Sequence, residues 1–357
     1  MTGRRLTRQA QTRDHHMNGG SGGPGGPGGP VTRRRALALF GAAAGYPLIA
    51  PAARAAVAGD LYTWHGTALG AMAKITLAHP DRRAAEGIIG LCVGEIERLE
   101  RVFSLHRSDS ELSRLNRDGL VEAPSHDLVK LLAASRRFGA LTEGAFDVTV
   151  QPLWNLYATH FARDPDSAGP DPAAIAAALD RVDYRAIEIE PGRVAFARPG
   201  MSVTLNGIAQ GYITDRAADL LRDNGIGQVL LELGETRALD DHPEGRPWRI
   251  GLADPMAAGA IARTIDLVDR AVATSASYGT TFGSEGKHHH LFDPRNGLSA
   301  ANHLSVSVIA ARATTADALS TGLYVLNDEQ AARAVRAIPD VTAILTAPDG
   351  GVRTLTG

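Results

Sequence analysis

The segment Thr315–Thr321 brings a carboxylate and a hydroxyl to helical spacing. Asp317 and Thr321 are four residues apart, so a helix would place both side chains on one face. A hard cation such as Mg²⁺ prefers oxygen ligands of this kind and commonly leaves coordination positions for a substrate phosphate. An ordinary helix start explains the same residues, with Asp317 favouring the helix dipole and Thr321 on the packing face. The residues alone leave both interpretations open.

A second segment, residues 287–297, joins three consecutive histidines to an Asp-Pro-Arg-Asn-Gly turn. If residues 288–290 end a strand, His288 and His290 face one side and His289 faces the other. A histidine beside this turn could act as a general base near neutral pH. His288 and His290 could instead ligate zinc, although no third ligand is evident. An inert polar loop is the remaining alternative.

A third segment, Leu205–Tyr212, is predicted to be a turn that leads from a strand into a helix. Gly207 and Gly211 bracket this turn, and glycine allows the backbone to approach a ligand closely. The N-terminus of the following helix would offer free N–H groups to a phosphate. A tight turn that uses glycine only for packing explains the pattern equally well.

The hydrophobic pattern along the rest of the chain indicates the elements that must position these segments. Apolar residues at helical spacing predict four main helices, over 82–102, 127–142, 206–222 and 315–326. Short strands are predicted between them, including one at 202–205. Helices mixed with strand hairpins favour an α+β class over a regular β-α-β alternation. The sequence also lacks a Gly-x-Gly-x-x-Gly segment after a strand and a Walker A motif, so neither of those nucleotide sites is expected.

Composition limits the class of protein further. The 357 residues are 44% hydrophobic and 21% charged, which is ordinary for a globular protein. The single cysteine, Cys92, excludes an internal disulfide and any site with several cysteine ligands. Residues 1–58 carry eight arginines and one aspartate, a net charge of +7, which leaves −9 for the rest of a chain whose total is −2. An acidic body with 5% aromatic residues argues against nucleic acid as a partner.

The basic segment, residues 1–58, has the order of an export signal, and residues 59–357 are predicted to form the folded domain. A Gly/Pro-rich linker at 19–30 precedes Thr32-Arg33-Arg34, and an uncharged stretch and two Ala-x-Ala sites follow. The Thr-Arg-Arg-x-x-Leu start resembles a twin-arginine signal, which predicts a periplasmic protein. A basic tail followed by a membrane anchor is the alternative. Contact with a membrane is otherwise expected only through a partner.

Taken in order, six segments resemble the ApbE family of FAD:protein FMN transferases. They extend over much of the predicted domain, and they are residues 103–116, 144–147, 207–215, 273–275, 290–294 and 316–321. The resemblance implies an α+β flavin transferase fold of mixed or antiparallel sheets with packed helices. It also implies FAD as substrate, Mg²⁺ as cofactor, and transfer of the FMN moiety to a Ser or Thr hydroxyl of an exported or membrane flavoprotein, with release of AMP.

The resemblance assigns roles to individual residues. His290 is the expected base that activates the acceptor hydroxyl, and Asp317 is the second catalytic candidate. The expected Mg²⁺ ligands are Ala209 (through its carbonyl), Asp317, Ser320 and Thr321. The expected FAD contacts are Leu69, His106, Ala145, Phe146, Asp147, Asn206, Gln210, Thr274, Ser275, His290 and Asp293.

Some positions depart from the family pattern. Gln210 stands where the family often has lysine, and Gly234-Glu235-Thr236 replaces a usual Gly-Gly-Asp turn. The stretch Gly234–Leu239 and the twin-arginine start resemble the branch associated with nitrous oxide reductase maturation. Two other functions stay open: an FAD pyrophosphatase that uses water as acceptor, and a non-catalytic FAD-binding accessory protein.

Overall fold

The computed structural model of the chain describes residues 46–47 and 59–357. The predicted export signal, apart from residues 46–47, therefore lies outside the described residues. The helices are α1 (Arg82–Phe103), α2 (Glu111–Asp118), α3 (His126–Leu141), α4 (Gln151–Arg163), α5 (Pro172–Leu179), α6 (Ala209–Asp223), α7 (Ala313–Val325) and α8 (Asp328–Arg336). The strands are β1 (Tyr46–Pro47), β2 (Asp60–Ala68), β3 (Ala71–His79), β4 (Leu120–Glu122), β5 (Ile187–Glu190), β6 (Arg193–Phe196), β7 (Val229–Glu232), β8 (Thr236–Leu239), β9 (Trp248–Ala253), β10 (Ile261–Leu267), β11 (Ala271–Ala276), β12 (Thr281–Phe282), β13 (His288–His289), β14 (Ser305–Ala310), β15 (Thr342–Thr346) and β16 (Val352–Thr356).

The centre of the fold is an eight-stranded sheet in the order β16-β15-β14-β11-β8-β7-β3-β2. Every neighbouring pair in it is antiparallel. Successive residues of a strand face opposite sides, so Leu231 packs into the main core while Leu230 packs against the hairpin of β9 and β10. The combination of this sheet with packed helices confirms the predicted α+β class.

Helix α1 shows how closely the apolar spacing determines an element. Its buried residues recur every three or four positions and include Ile89, Cys92, Ile96 and Leu99. The carboxylate of Asp81 caps the helix by accepting a hydrogen bond from the Ala84 N–H at 3.0 Å. The prediction of a helix over 82–102 is thus confirmed to within one residue, and Cys92 is a packed core residue.

The predicted strand at 202–205 is wrong. These residues lie outside the strands of the structure, because their backbone groups find a different partner. The side-chain amide of Asn116 donates to the Val203 carbonyl oxygen at 2.8 Å and accepts from the Val203 N–H at 2.7 Å. A side chain thus takes the place of a neighbouring strand, and this holds the segment that leads into α6.

Among the residues the structure describes, none of the helices is both long enough and apolar enough to cross a membrane.

Candidate active site

The close packing of α6 against α7 creates the centre of the site. A β-carbon at Gly211 would lie 2.4 Å from the Ala313 carbonyl oxygen and 2.8 Å from Cβ of Asp317, so only glycine permits this approach. One at Gly207 would lie 2.8 Å from Oγ1 of Thr321. The two glycines of the predicted turn therefore bring the start of α6 against the functional face of α7. They do so by close packing, one of the two roles that the sequence leaves open for them.

Asp317 is a buried carboxylate with one oxygen bound and the other free of protein donors. Its side chain is 3% exposed, and Oδ2 accepts a hydrogen bond from the Gly211 N–H at 2.9 Å. Within the described residues no donor is assigned to Oδ1, and Asp317 lines the cavity. Burial disfavours the charged form and raises the pKa of Asp317 to about 7.

A second carboxylate, Glu235, lines the same cavity from the turn between β7 and β8. Burial and the charge of Asp317 raise the pKa of Glu235 well above its usual value. Ionising both carboxyl groups costs free energy, because they are buried and close to each other. A divalent cation bound beside them would lower that cost. The sequence had marked Glu235 only as a departure from a family pattern. Its proximity to Asp317 could not be predicted because the two residues are far apart in the chain.

The hydroxyl groups of Ser320 and Thr321, two further predicted Mg²⁺ ligands, both contact the hydroxyl group of Ser275. Oγ of Ser275 on β11 lies 2.9 Å from Oγ of Ser320 and 3.2 Å from Oγ1 of Thr321. Ser320 is 1% exposed and donates to the backbone carbonyl of Asp317 at 2.9 Å. The predicted pair of Asp317 and Thr321 does lie on one helix, and both residues line the cavity.

His290 has the geometry of a neutral base. Its Nδ1 lies 3.0 Å from the carbonyl oxygen of Thr280, and a carbonyl only accepts, so Nδ1 carries the proton. In the neutral ring Nε2 then keeps an unprotonated lone pair. Burial lowers the pKa of His290, which favours this neutral form. His290 lines the cavity together with Asp317.

The two neighbouring histidines have other surroundings. His288 lies against the rings of Tyr157 and Phe161, and its Nε2 is 3.1 Å from the Ala168 carbonyl oxygen. His289 is buried, with Nε2 at 2.9 Å from the Ala300 carbonyl oxygen. In the part of the chain that the structure describes, no cluster of three or more His, Cys, Asp or Glu side chains is arranged to hold a metal ion. The two histidines considered as zinc ligands, His288 and His290, each contact a backbone carbonyl oxygen, that of Ala168 and that of Thr280.

Most of the predicted site residues line one cavity. They are Ala145, Phe146, Asp147, Asn206, Gln210, Thr274, Ser275, His290, Asp317 and Thr321. Leu69, His106 and Ala209 line an adjoining cleft that shares Asn206 and Gln210 with the cavity. Helix α6 begins between the two clefts, and N–H groups of its first turn are used within the protein: that of Ala209 donates to the Leu205 carbonyl oxygen at 2.8 Å and that of Gly211 donates to the Asp317 carboxylate at 2.9 Å.

Asp147 and Asp293, two of the predicted FAD contacts, direct their carboxylates to hydrogen-bond donors of the protein itself. The Asp147 carboxylate accepts from the Thr149 N–H at 2.8 Å, the Thr149 hydroxyl at 2.6 Å and the Tyr184 N–H at 3.0 Å. These bonds fix the wall formed by residues 145–147. Asp293 lines neither cleft and instead closes its own turn, where it accepts from the N–H and the guanidinium of Arg295.

Comparison with known proteins agrees with this geometry. The sequence profile of the ApbE family matches residues 69–345. A FAD:protein FMN transferase of Haemophilus influenzae is 35% identical over 241 residues, which are 64% of this chain and 69% of the relative. One from Klebsiella pneumoniae is 32% identical over 283 residues, 76% of this chain and 80% of the relative.

Solved structures give the same result. The crystal structure of the ApbE protein from Thermotoga maritima superposes with a TM-score of 0.72 at 28% identity, covering 83% of this chain and 97% of that one. The flavin transferase ApbE from Vibrio cholerae gives a TM-score of 0.70 at 28% identity, with the same coverage.

Proposed function

This chain is a member of the ApbE family, and we propose that it transfers the FMN moiety of FAD to a Ser or Thr hydroxyl of a protein acceptor, with release of AMP. The observation that carries the proposal is the content of one cavity. It holds an Asp317 carboxylate oxygen that has no donor among the described residues, the hydroxyl of Thr321, and the unprotonated Nε2 of His290. The cavity and the adjoining cleft share Asn206 and Gln210, so together they suit a ligand with two ends joined by a pyrophosphate.

The donor set fits Mg²⁺. The Asp317 carboxylate, the Thr321 hydroxyl and the Ala209 carbonyl would hold the ion, and all three supply the hard oxygen atoms that it prefers. Burial and the charge of Asp317 disfavour the ionised form of the nearby Glu235, and a bound divalent cation would favour that form. When bound, Mg²⁺ would neutralise charge on the pyrophosphate whose bond breaks.

The residues of the chain would then act on the acceptor. Nε2 of His290 takes the proton of the acceptor hydroxyl while that oxygen forms a bond to the phosphorus next to the flavin. The P–O bond on the other side of this phosphorus breaks, and AMP leaves with the electron pair. The Thr280 carbonyl accepts the Nδ1–H bond before and after this transfer, so Nε2 is the nitrogen that receives the proton.

The test combines two measurements on one reaction. The full chain is incubated with FAD, Mg²⁺ and a peptide that carries a Ser-Gly-Ala-Thr stretch, and both the peptide mass and AMP are measured. We expect a peptide heavier by one FMN together with AMP. Both products should be lost in Asp317→Asn and kept in Asp266→Asn, which alters an exposed carboxylate on β10. AMP with an unmodified peptide, repeated with the natural acceptor, would establish a pyrophosphatase instead. No AMP at all would favour a binding protein.

We further propose that the protein works in the periplasm on an exported or membrane flavoprotein, and that this acceptor belongs to the nitrous oxide reductase system. The support is the twin-arginine pattern at Arg33 and Arg34 and the stretch Gly234–Leu239. Cell fractionation tests the location. Replacement of both arginines by lysine should keep the protein in the cytoplasm, and unchanged periplasmic recovery would contradict the assignment.

A further inference from the structure

Three hydroxyl groups form a continuous chain behind the proposed cation site. Oγ1 of Thr321 lies 3.2 Å from Oγ of Ser275, which lies 2.9 Å from Oγ of Ser320. Oγ of Ser320 lies 2.9 Å from the backbone carbonyl oxygen of Asp317. Ser275 comes from β11, whereas the other three residues belong to α7, so the chain joins the sheet to the helix.

The last contact fixes the direction of every hydrogen bond in this chain. A carbonyl oxygen only accepts, so Ser320 donates its single hydroxyl proton to Asp317. Ser320 therefore accepts at its contact with Ser275, which must donate. Ser275 in turn accepts from Thr321. The protons run from Thr321 through Ser275 and Ser320 to the Asp317 carbonyl.

This direction determines what Thr321 presents to the cavity. Its proton is held by Ser275, so its oxygen keeps a lone pair for a cation without leaving a buried donor unsatisfied. Gly207 leaves the room that this side chain occupies, since a β-carbon there would lie 2.8 Å from Oγ1 and 3.2 Å from the methyl carbon of Thr321.

We propose that Ser275 and Ser320 are positioning residues that orient the Thr321 hydroxyl and thereby set the affinity of the site for a divalent cation. The inference rests on the proposed Mg²⁺ site. In this inference Ser320 does not contact the ion and affects it through Ser275 and Thr321. Loss of either serine lets the Thr321 proton rotate toward the cavity, where it opposes a cation.

A double-mutant cycle distinguishes this relay from direct ligation by Ser320. Mn²⁺, followed by electron paramagnetic resonance, is titrated into the full chain and into Ser275→Ala, Ser320→Ala and the double variant. We expect each single variant to bind about tenfold more weakly, the range typical of groups that orient metal ligands. The double variant should bind no more weakly than the weaker single variant, because both changes break one chain.

Two further variants separate positioning from a general loss of structure. Ser275→Thr keeps a hydroxyl at the same position and should retain most of the affinity. Ser135→Ala is the matched control, since Ser135 is also a buried helical serine that donates to a carbonyl, that of Leu131 at 2.8 Å. It should leave Mn²⁺ affinity unchanged, and thermal denaturation should show all variants folded.

Several outcomes would overturn the inference. Unchanged affinity in Ser320→Ala would show that the hydroxyl chain does not matter, and additive losses in the double variant would make Ser320 an independent ligand. In both cases the unaltered chain still binds Mn²⁺ and the proposed site survives. If the unaltered chain itself fails to bind Mn²⁺, both the metal site and the relay are wrong.

Discussion

Two buried aspartates on the paired helices α6 and α7 have opposite surroundings. Asp215 on α6 is 1% exposed, and both of its oxygens are used. They accept from the N–H groups of Ala313 and Thr314 at 2.9 and 3.0 Å, from the Thr314 hydroxyl at 2.6 Å, and from the guanidinium groups of Arg237 and Arg312. Asp317 on α7 is buried almost as deeply, but among the described residues its carboxylate accepts a single hydrogen bond, from Gly211.

The difference in hydrogen bonding distinguishes a structural carboxylate, Asp215, from a candidate functional one, Asp317. A buried carboxylate whose lone pairs are all used by the protein joins two elements and has nothing left for a ligand. A buried carboxylate beside a second one, with an oxygen facing a cavity, costs folding free energy and marks a functional site. Both residues belong to segments that the sequence singled out, and only their surroundings tell them apart.

The largest effect is expected at Asp317. Asp317→Asn should lower the rate of FMN transfer by about a thousandfold, because removal of one charged group at a site of developing charge costs on that order. Burial raises the pKa of Asp317 to about 7, so the ionised carboxylate is disfavoured in the fold. The melting temperature at pH 8 should therefore stay the same or rise. Steady-state kinetics and thermal denaturation check this, and a variant that melts several degrees lower would make Asp317 structural.

Substitution of Asp215 should lower the stability strongly and the rate of transfer only slightly, the reverse of the result expected at Asp317. Asp215→Asn removes the nearer charged partner of the buried Arg237 guanidinium and leaves only Asp219, at 3.9 Å among the described residues, which should cost about 3 to 5 kcal/mol of unfolding free energy. The rate of transfer per folded molecule should change far less than in Asp317→Asn. Chemical denaturation monitored by circular dichroism measures the stability, with the exposed Asp266→Asn as control. A fully stable variant would contradict the comparison.

The same contrast extends to neighbouring histidines, beginning with His289. Both of its nitrogens are used, since Nε2 donates to the Ala300 carbonyl and Nδ1 accepts from the Leu291 N–H. Burial lowers the pKa of His289 to about 4 from the usual 6.5.

The unfolded chain therefore binds more protons than the folded chain between pH 6.5 and 4, and stability must fall as the pH drops through this range. The shift corresponds to on the order of 3 kcal/mol. Urea denaturation at pH 7 and pH 4.5 should reveal the loss. The loss of unfolding free energy between pH 7 and pH 4.5 should be smaller in His289→Gln. An equal loss in that variant would mean that other groups cause it.

Within the part of the chain that the structure describes, Nδ1 of His290 has a hydrogen-bond partner and Nε2 has none, just as only one oxygen of Asp317 has a partner. His290→Gln removes the proposed base and should lower kcat about a hundredfold, with a smaller change in KM and in melting temperature. Stopped-time assays of AMP release measure the rate. A variant with nearly full kcat would mean that the acceptor hydroxyl loses its proton elsewhere.

The sequence predicted what depends on neighbours along the chain. Helix α1 follows from its apolar spacing, and the shared face of Asp317 and Thr321 follows from a separation of four residues. The approach of Ser275 to Thr321 and of Glu235 to Asp317 depends on how β11 and the turn after β7 pack on α7, so local patterns could not indicate it. The wrong strand at 202–205 has the same cause, since its partner is the Asn116 side chain from a distant helix.

The most direct test of the contrast between the two aspartates is the effect of Mg²⁺ on thermal stability. A ligand that binds only the folded chain stabilises it, by about 2.7 kcal/mol at a concentration one hundred times its dissociation constant. We expect Mg²⁺ to raise the melting temperature of the unaltered chain and to have no effect on Asp317→Asn. An equal rise in both proteins would show that the cation binds elsewhere and that Asp317 is not the functional carboxylate.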